Sequence, residues 1–173
     1  MLDAATYPIG KFKKTEQITE GVLKIMINDI AQVPTDLRKV VTSLSKKQLH
    51  LSYRAGGWSA LQIVHHLADA HCNIFVRVKL ALAENNPTVK PYDENTWAEM
   101  PDATSEYLEG SLRMIEGVHD RISKVFYSMS IEDFSRCYYH PEYDRLVPLS
   151  EVLSYFHWHG KHHTAQIRVI SQL

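Results

Sequence analysis

Four long segments of this chain carry apolar residues at the three- and four-residue spacing that is typical of an amphipathic α-helix. Pro34 is predicted to end the first helix, because a proline removes a backbone donor and clashes with the preceding turn. Each helix must bury its apolar stripe against another helix, so the sequence predicts an all-α fold, a four-helix bundle. The predicted helices span residues 15–32, 59–86, 104–129 and 149–171, with a shorter helical piece at 35–45.

The connections between these helices leave the order of the bundle open. Ser59 and Gln62 form a capping-box pattern at the start of the second helix, and Pro87 prevents its continuation. The connection from residue 87 to about 103 is long enough, at ~3.3 Å per extended residue, to run the length of a bundle. Consecutive helices therefore need not be antiparallel. One short hairpin is predicted, between Tyr138–His140 and Arg145–Val147.

Length, charge and cysteine content exclude several classes of protein. A chain of 173 residues has the usual size of one domain, so residues 1–173 are predicted to form a single domain. The 19 basic and 20 acidic side chains nearly balance, which argues against nucleic acid as a partner. No apolar run approaches the ~18 residues of a membrane helix, and residues 1–14 lack a signal-peptide pattern. Because Cys72 and Cys137 form no disulfide framework, the expected location is the cytoplasm. The expected partner is a small-molecule substrate.

Histidine is the unusual residue of this composition, with 10 in the chain, and the fourth helix contains a cluster of them. At ~100° per residue, His159 and His163 fall on the apolar face of that helix, one turn apart. Two imidazoles at positions i and i+4 can converge on one point, as in His-x-x-x-His metal sites. On the second helix His66 flanks the apolar stripe and can supply a third ligand, whereas His65 is predicted to face solvent. Three histidines with an open coordination position are typical of a catalytic metal site.

An alternative interpretation stays open for each of these residues. A histidine on an apolar stripe is more often a hydrogen-bonded core residue than a ligand. No Glu follows His159, so the signature of the glutamate-dependent zinc proteases is absent. Cys72 and Cys137 match no metal-binding spacing and are interpreted as small core residues.

Four stretches of the sequence carry a resemblance to a known family, and together they cover nearly the whole chain. They are Tyr-Pro-Ile-Gly-Lys-Phe at 7–12, Trp-Ser-Ala-Leu-Gln-Ile-Val-His-His-Leu-Ala-Asp at 58–69, Lys-Leu-Ala-Leu-Ala-Glu-Asn-Asn-Pro with the following Lys-Pro-Tyr-Asp at 79–93, and Trp-His-Gly-Lys-His-His-Thr-Ala-Gln-Ile at 158–167. On these stretches the chain resembles the DinB-like metalloenzyme superfamily and, within it, the YfiT group, described as metal-dependent hydrolases.

The resemblance implies a four-helix bundle in up-down-down-up order, usually a homodimer. It also implies one divalent metal ion per chain, zinc or nickel, held by His66, His159 and His163. Members of the superfamily include S-transferases that use bacillithiol, mycothiol or glutathione, and the YfiT group is similar to the bacillithiol enzymes. The sequence therefore predicts an enzyme, but it does not decide between a hydrolase and a thiol S-transferase.

The nucleophile is what separates these functions. An open position on the metal can bind water, which becomes a nucleophile, or a low-molecular-weight thiol, which is stabilised as its thiolate. A thiol cosubstrate needs anchors for its acidic or sugar groups, and the candidates are Arg54, Arg77 and Lys161. Candidates for residues that support the ligands or act as a base are Asp69, Glu151 and Gln166. A non-catalytic metal-binding stress-response module, with the open position blocked, is the remaining alternative.

Overall fold

The computed structural model describes residues 5–173, which form a helical bundle with one small hairpin. Residues 1–4 belong to the segment in which the sequence predicts no signal peptide, and they lie outside the described range. The four long helices are α1 (Glu20–Thr42), α3 (Ala60–Ala83), α5 (Glu109–Ser128) and α6 (Leu149–Ile170). Two single-turn helices, α2 (Lys46–Leu49) and α4 (Glu94–Trp97), and a 3₁₀ turn at Glu132–Ser135 lie in the connections. Strands β1 (Cys137–His140) and β2 (Arg145–Pro148) complete the fold.

Side-chain pairs show that α1 and α5 are antiparallel and that α1 and α6 are parallel. Arg38 in the second half of α1 pairs with Glu109 at the start of α5. The amide of Thr15, before α1, donates to Ser154 near the start of α6, whereas Gln48, after α1, donates to the carbonyl of Ser171 at the end of α6. The start and end of α1 therefore lie beside the start and end of α6.

The other two packed pairs fix the remaining directions. His66 lies beside His163 and His71 beside Phe156, so α3 and α6 are antiparallel. His71 in turn bonds to His119 in the middle of α5. Because α5 is antiparallel to α1, and α6 is parallel to it, the order α1, α3, α5, α6 is up, down, down, up. The order implied by the family resemblance is confirmed.

Pro34 does not end the first helix, and the prediction of two helices at 15–32 and 35–45 is wrong. Helix α1 runs unbroken through Pro34, which is buried against the rest of the bundle. A proline inside a helix removes one hydrogen bond, but the buried face of α1 continues on both sides of it, at Ile30, Val33 and Leu37. Packing of that face outweighs the local preference to end the helix.

Other predicted boundaries are close to those observed. Helix α3 begins with the predicted capping box, in which Ser59 and Gln62 satisfy each other's backbone amides. Helix α5 begins at Glu109 rather than at residue 104, because the connection from Pro87 extends further than the sequence indicates. The hairpin is confirmed, with Tyr138 opposite Val147.

The segment before α1 lies against α6. The ring of Phe12 packs on Tyr155 and Trp158, and the Trp158 indole donates to the carbonyl of Gly10 at 3.1 Å. The apolar surface of this arm is therefore covered in part by the same chain. Within residues 5–173, no helix is both long and apolar enough to cross a membrane.

Candidate metal centre

Three histidines from two helices converge in the interior of the bundle. His66 of α3 and His159 and His163 of α6 each offer one ring nitrogen, and these nitrogens all lie within 4.8 Å of one another. The Nε2 atoms of His66 and His159 are 3.3 Å apart. Two nitrogens that bind one zinc ion at 2.0–2.1 Å with tetrahedral angles lie about 3.3 Å apart. The spacing therefore fits two ligands of a single divalent ion.

Burial keeps these three imidazoles in the neutral form that binds metals. All three residues are buried. Burial lowers the pKa of His66 to about 4, and it lowers the pKa of His159 and of His163 well below the ordinary value. The neighbouring imidazoles lower the last two pKa values further, because each disfavours a positive charge beside it. A neutral imidazole has a free lone pair, so the site is ready to accept a cation at neutral pH.

The surroundings of His163 and His66 restrain their rings. The Nδ1 atom of His163 lies 2.8 Å from Oε1 of Gln166, whose amide nitrogen donates to the carbonyl of Thr6. Since Oε1 can only accept, Nδ1 of His163 carries the proton and Nε2 keeps a free lone pair. The indole of Trp58 packs against His66 with ring centroids 4.5 Å apart.

His159 is restrained by a chain of two further buried histidines. Its Nδ1 atom lies 3.1 Å from Nε2 of His71, and Nδ1 of His71 lies 2.8 Å from Nε2 of His119. Nδ1 of His119 lies 2.7 Å from the backbone carbonyl oxygen of Ile30. Helices α6, α3, α5 and α1 each contribute one member to this chain.

The sequence comparisons match this fold and site to one family. The model of the DinB superfamily matches residues 29–167, which include all three converging histidines. The chain belongs to the DinB superfamily. The solved structure of YfiT from Bacillus subtilis, described as a probable metal-dependent hydrolase with an unusual four-helix bundle topology, superposes with a TM-score of 0.94. It is 35% identical in sequence, over 98% of this chain and 97% of that one.

Curated relatives from Bacillus cereus and Bacillus anthracis are closer in sequence than YfiT is. A protein of Bacillus cereus (strain 03BB102) is 43% identical over 161 residues, which are 93% of this chain and 92% of the relative. A protein of Bacillus anthracis (strain CDC 684 / NRRL 3495) is 42% identical over the same shares. Both carry the name "Putative metal-dependent hydrolase".

A cavity of about 270 Å³ lies beside the three histidines of this DinB site. His66 and His159 form part of its wall, and the rest comes from α3, the start of α6, the hairpin, the connection around α4 and Phe12 before α1. Four tyrosines line it, together with Arg77 and the hairpin residue His140: they are Tyr92, Tyr138, Tyr143 and Tyr155. Burial raises the pKa of Tyr92 and of Tyr138 to about 12, so at neutral pH these phenols are protonated hydrogen-bond donors.

Of the three predicted anchors, only Arg77 lines the cavity. It donates one hydrogen bond to the carbonyl of Lys90, and no carboxylate among residues 5–173 pairs with it. Arg54 is exposed and donates to Ala55, and Lys161 pairs with Asp29. Neither belongs to the cavity wall.

The three predicted supporting residues have different surroundings. Gln166 contacts a ligand candidate, as described above for His163. Glu151 lines the cavity but is neutralised by Arg145. Asp69 does not line the cavity, and burial, followed by the nearby Asp102, raises the pKa of its carboxyl. Gln166 is therefore the one of the three that supports the histidine triad.

One prediction about a histidine is wrong, and two histidines escape the sequence reasoning. His65 is buried rather than solvated, because the start of α5 covers it and Ser111 and Ser105 bind its two ring nitrogens. His71 reads from the sequence only as a member of the apolar stripe of its helix, and His119 carries no pattern that singles it out. His71 and His119 each interrupt the apolar stripe of a different helix. A buried polar side chain needs a hydrogen-bond partner, so two histidines on apolar stripes could have been predicted to bond to each other.

Proposed function

We propose that this protein is a metal-dependent hydrolase in which His66, His159 and His163 hold one divalent ion beside a small-molecule cavity. The observation that carries the proposal is the convergence of three buried, neutral imidazoles, two of which, those of His66 and His159, line that cavity. A divalent ion held there supplies a Lewis acid that lowers the pKa of bound water toward ~7. Three neutral ligands leave the charge of the ion undiminished, which a carboxylate ligand would not.

The nitrogen ligands support the choice between metals. Imidazole suits zinc, nickel, copper and iron, whereas magnesium and calcium prefer oxygen ligands. The distance of 3.3 Å between Nε2 atoms of His66 and His159 also matches a tetrahedral site with short metal–nitrogen bonds. Of the metals that imidazole suits, we propose zinc or nickel, the two that the family resemblance implies. We also propose that the protein works in the cytoplasm, because Cys72 and Cys137 are free thiols.

The residues of the cavity bind and orient the substrate in this proposal. Protonated phenols of Tyr92 and Tyr138 can donate hydrogen bonds to substrate oxygens without carrying charge. The ring of Tyr155 lines the cavity 5.0 Å from that of His159, so this phenol lies close to the triad. Burial raises the pKa of Tyr155 as well, which keeps its hydroxyl a donor.

A second candidate, thiol S-transfer, is supported by Arg77. A low-molecular-weight thiol such as bacillithiol needs an anchor for its acidic groups while its sulfur reaches the metal. Arg77 provides a guanidinium at the cavity wall with no carboxylate partner in residues 5–173, unlike Arg145, which Glu151 occupies. The cavity beside the triad supports either enzyme over a non-catalytic metal-binding module, whose open position would be blocked.

Turnover assays with the metal-loaded protein test the proposal. The zinc and nickel forms are assayed with a panel of esters, amides and phosphate esters, and with bacillithiol plus monobromobimane. We expect hydrolysis that disappears after chelation and in His163→Ala. Equal rates with and without metal would refute a metal-dependent reaction, and turnover with bacillithiol but with no hydrolytic substrate would favour the second candidate.

An arginine variant separates the two candidates. If Arg77 anchors the acidic groups of a thiol, Arg77→Met should raise the KM for bacillithiol by ~10–100-fold, the cost of one hydrogen bond to a charged group. The control substrate is 2-mercaptoethanol, which carries no acidic group. The same change in KM for both thiols would show that Arg77 does not recognise the acidic groups.

A further inference from the structure

We propose that Pro34, His119 and His71 act as positioning residues that hold His159 in the one tautomer able to bind the ion. The proposal rests on the metal site proposed above. It assigns a role to the proline inside α1 and to two buried histidines that do not line the cavity.

The chain of contacts begins at a carbonyl group that Pro34 leaves free. In an α-helix the carbonyl of residue i accepts from the amide of residue i+4. The residue four positions after Ile30 is Pro34, which has no amide hydrogen, so the Ile30 carbonyl lacks its partner within α1. Nδ1 of His119, from α5, lies 2.7 Å from this oxygen and takes the place of the missing donor.

That carbonyl oxygen sets the tautomers of three imidazoles in turn. A carbonyl oxygen only accepts, so Nδ1 of His119 must donate, and Nε2 of the neutral ring is left as an acceptor. Nδ1 of His71 therefore donates to it across 2.8 Å, and Nε2 of His71 accepts from Nδ1 of His159 across 3.1 Å. The proton of His159 is thereby placed on Nδ1, and its Nε2 lone pair is directed toward Nε2 of His66.

The packing around the chain keeps its members in contact. His71 and His119 are 0% and 1% exposed, so water does not compete for their ring nitrogens. Phe156 packs on both rings, with centroids 4.4 Å and 4.9 Å away. Gly160 lets α6 approach closely, because a Cβ there would lie 2.9 Å from a methyl of Val33 and 3.5 Å from the ring of His71.

Metal binding by three variants tests the chain. Cobalt(II) affinity, measured by competition with a chelator, is compared for His119→Leu, His119→Gln and the control His65→Gln. His119→Leu removes both hydrogen bonds, and we expect ~10–100-fold weaker binding and a changed visible spectrum of the bound cobalt. The side-chain amide introduced by His119→Gln can both accept and donate, so this variant should restore most of the affinity. His65→Gln alters a buried histidine outside the chain and should bind like the wild type.

These variants give a clear result only if they are folded, which thermal unfolding of each metal-free form establishes. If folded His119→Leu binds cobalt as tightly as the wild type does, or if leucine and glutamine have equal effects, the proposal is overturned. The same follows if His65→Gln weakens binding as much as His119→Leu does.

Pro34→Ala tests the origin of the chain without removing a histidine. The restored amide competes for the Ile30 carbonyl, so we expect a helix at least as stable as the wild type and several-fold weaker cobalt binding. Unchanged affinity would overturn the role assigned to Pro34.

Nitrogen-15 NMR of the wild-type histidines decides the tautomers independently of any variant. We expect His159, His71 and His119 all to carry the proton on Nδ1 in the metal-free protein. A proton on Nε2 of any of the three overturns the proposal. A wild-type protein that binds no metal would defeat the proposed function, and the NMR result would still decide the tautomers.

Discussion

Two groups of buried histidines lie next to each other in this bundle, and they differ in what their ring nitrogens face. In the relay group, His71 and His119, every ring nitrogen has a partner supplied by the protein. In the triad of His66, His159 and His163, the Nε2 atoms of His66 and His159 lie 3.3 Å apart, and one ring nitrogen of each of the three histidines lies within 4.8 Å of the others. Burial is similar in both groups, so burial alone does not mark a ligand. The convergence of three ring nitrogens is what distinguishes the triad from the relay group.

Removing one of the three candidate ligands should have the largest effect on metal binding. His163→Ala leaves two imidazoles, and we expect its affinity for zinc to fall by more than the ~10–100-fold typical of losing a residue that only supports a ligand. Isothermal titration with zinc measures the effect. His65→Ala is the matched control, because His65 adjoins His66 in sequence but binds Ser111 and Ser105 instead. Unaltered zinc stoichiometry and affinity in His163→Ala would exclude His163 as a ligand.

Removing the partner of a ligand should have a smaller effect. Gln166→Leu deletes the acceptor for Nδ1 of His163 and the donor to Thr6, so the ring loses its fixed tautomer. We expect zinc affinity ~10–100-fold below the wild type, because such partners usually contribute that much. Gln166→Glu keeps an acceptor for His163 and should bind more tightly than Gln166→Leu. Equal affinities in the two variants would contradict the role of this hydrogen bond.

The relay group should also make the metal-free protein sensitive to acid. Burial lowers the pKa of His119 from 6.5 to about 4, so the unfolded chain binds a proton between these pH values that the folded chain does not. The free energy of unfolding should therefore fall as the pH drops from about 6.5 to about 4, by up to ~3 kcal/mol for this residue. Urea titrations of chelated protein across that range measure it. His119→Gln should show a shallower decline, and an equal decline would assign it to other groups.

The smallest expected effect concerns association. We predict a homodimer, from the family resemblance and from the Tyr92 and Trp97 side chains, which pack on each other in the connection around α4. Light scattering at micromolar concentration should give twice the chain mass of 19.9 kDa. Because Phe12 packs on α6 of its own chain, its ring contributes less apolar surface to an interface. A mass equal to one chain would exclude the dimer.

The sequence by itself determined the helical class, the pair His159 and His163, and the third member, His66. These rest on local periodicity, since residues four apart share a helix face wherever the helix packs. The capping box at Ser59 and Gln62 was equally readable, because it involves only residues within one turn.

Only the tertiary structure decided what depends on neighbouring helices. Whether Pro34 ends a helix depends on the packing of α1. The Ile30 carbonyl that Pro34 leaves free has a hydrogen-bond partner only because His119 of α5 lies opposite it. His65 is buried because α5 begins beside it, 40 residues or more along the chain. A helical wheel gives the direction of a side chain but not what lies in that direction. For this reason the ligand candidates could be read from single helices, and the residues that hold them in place could not.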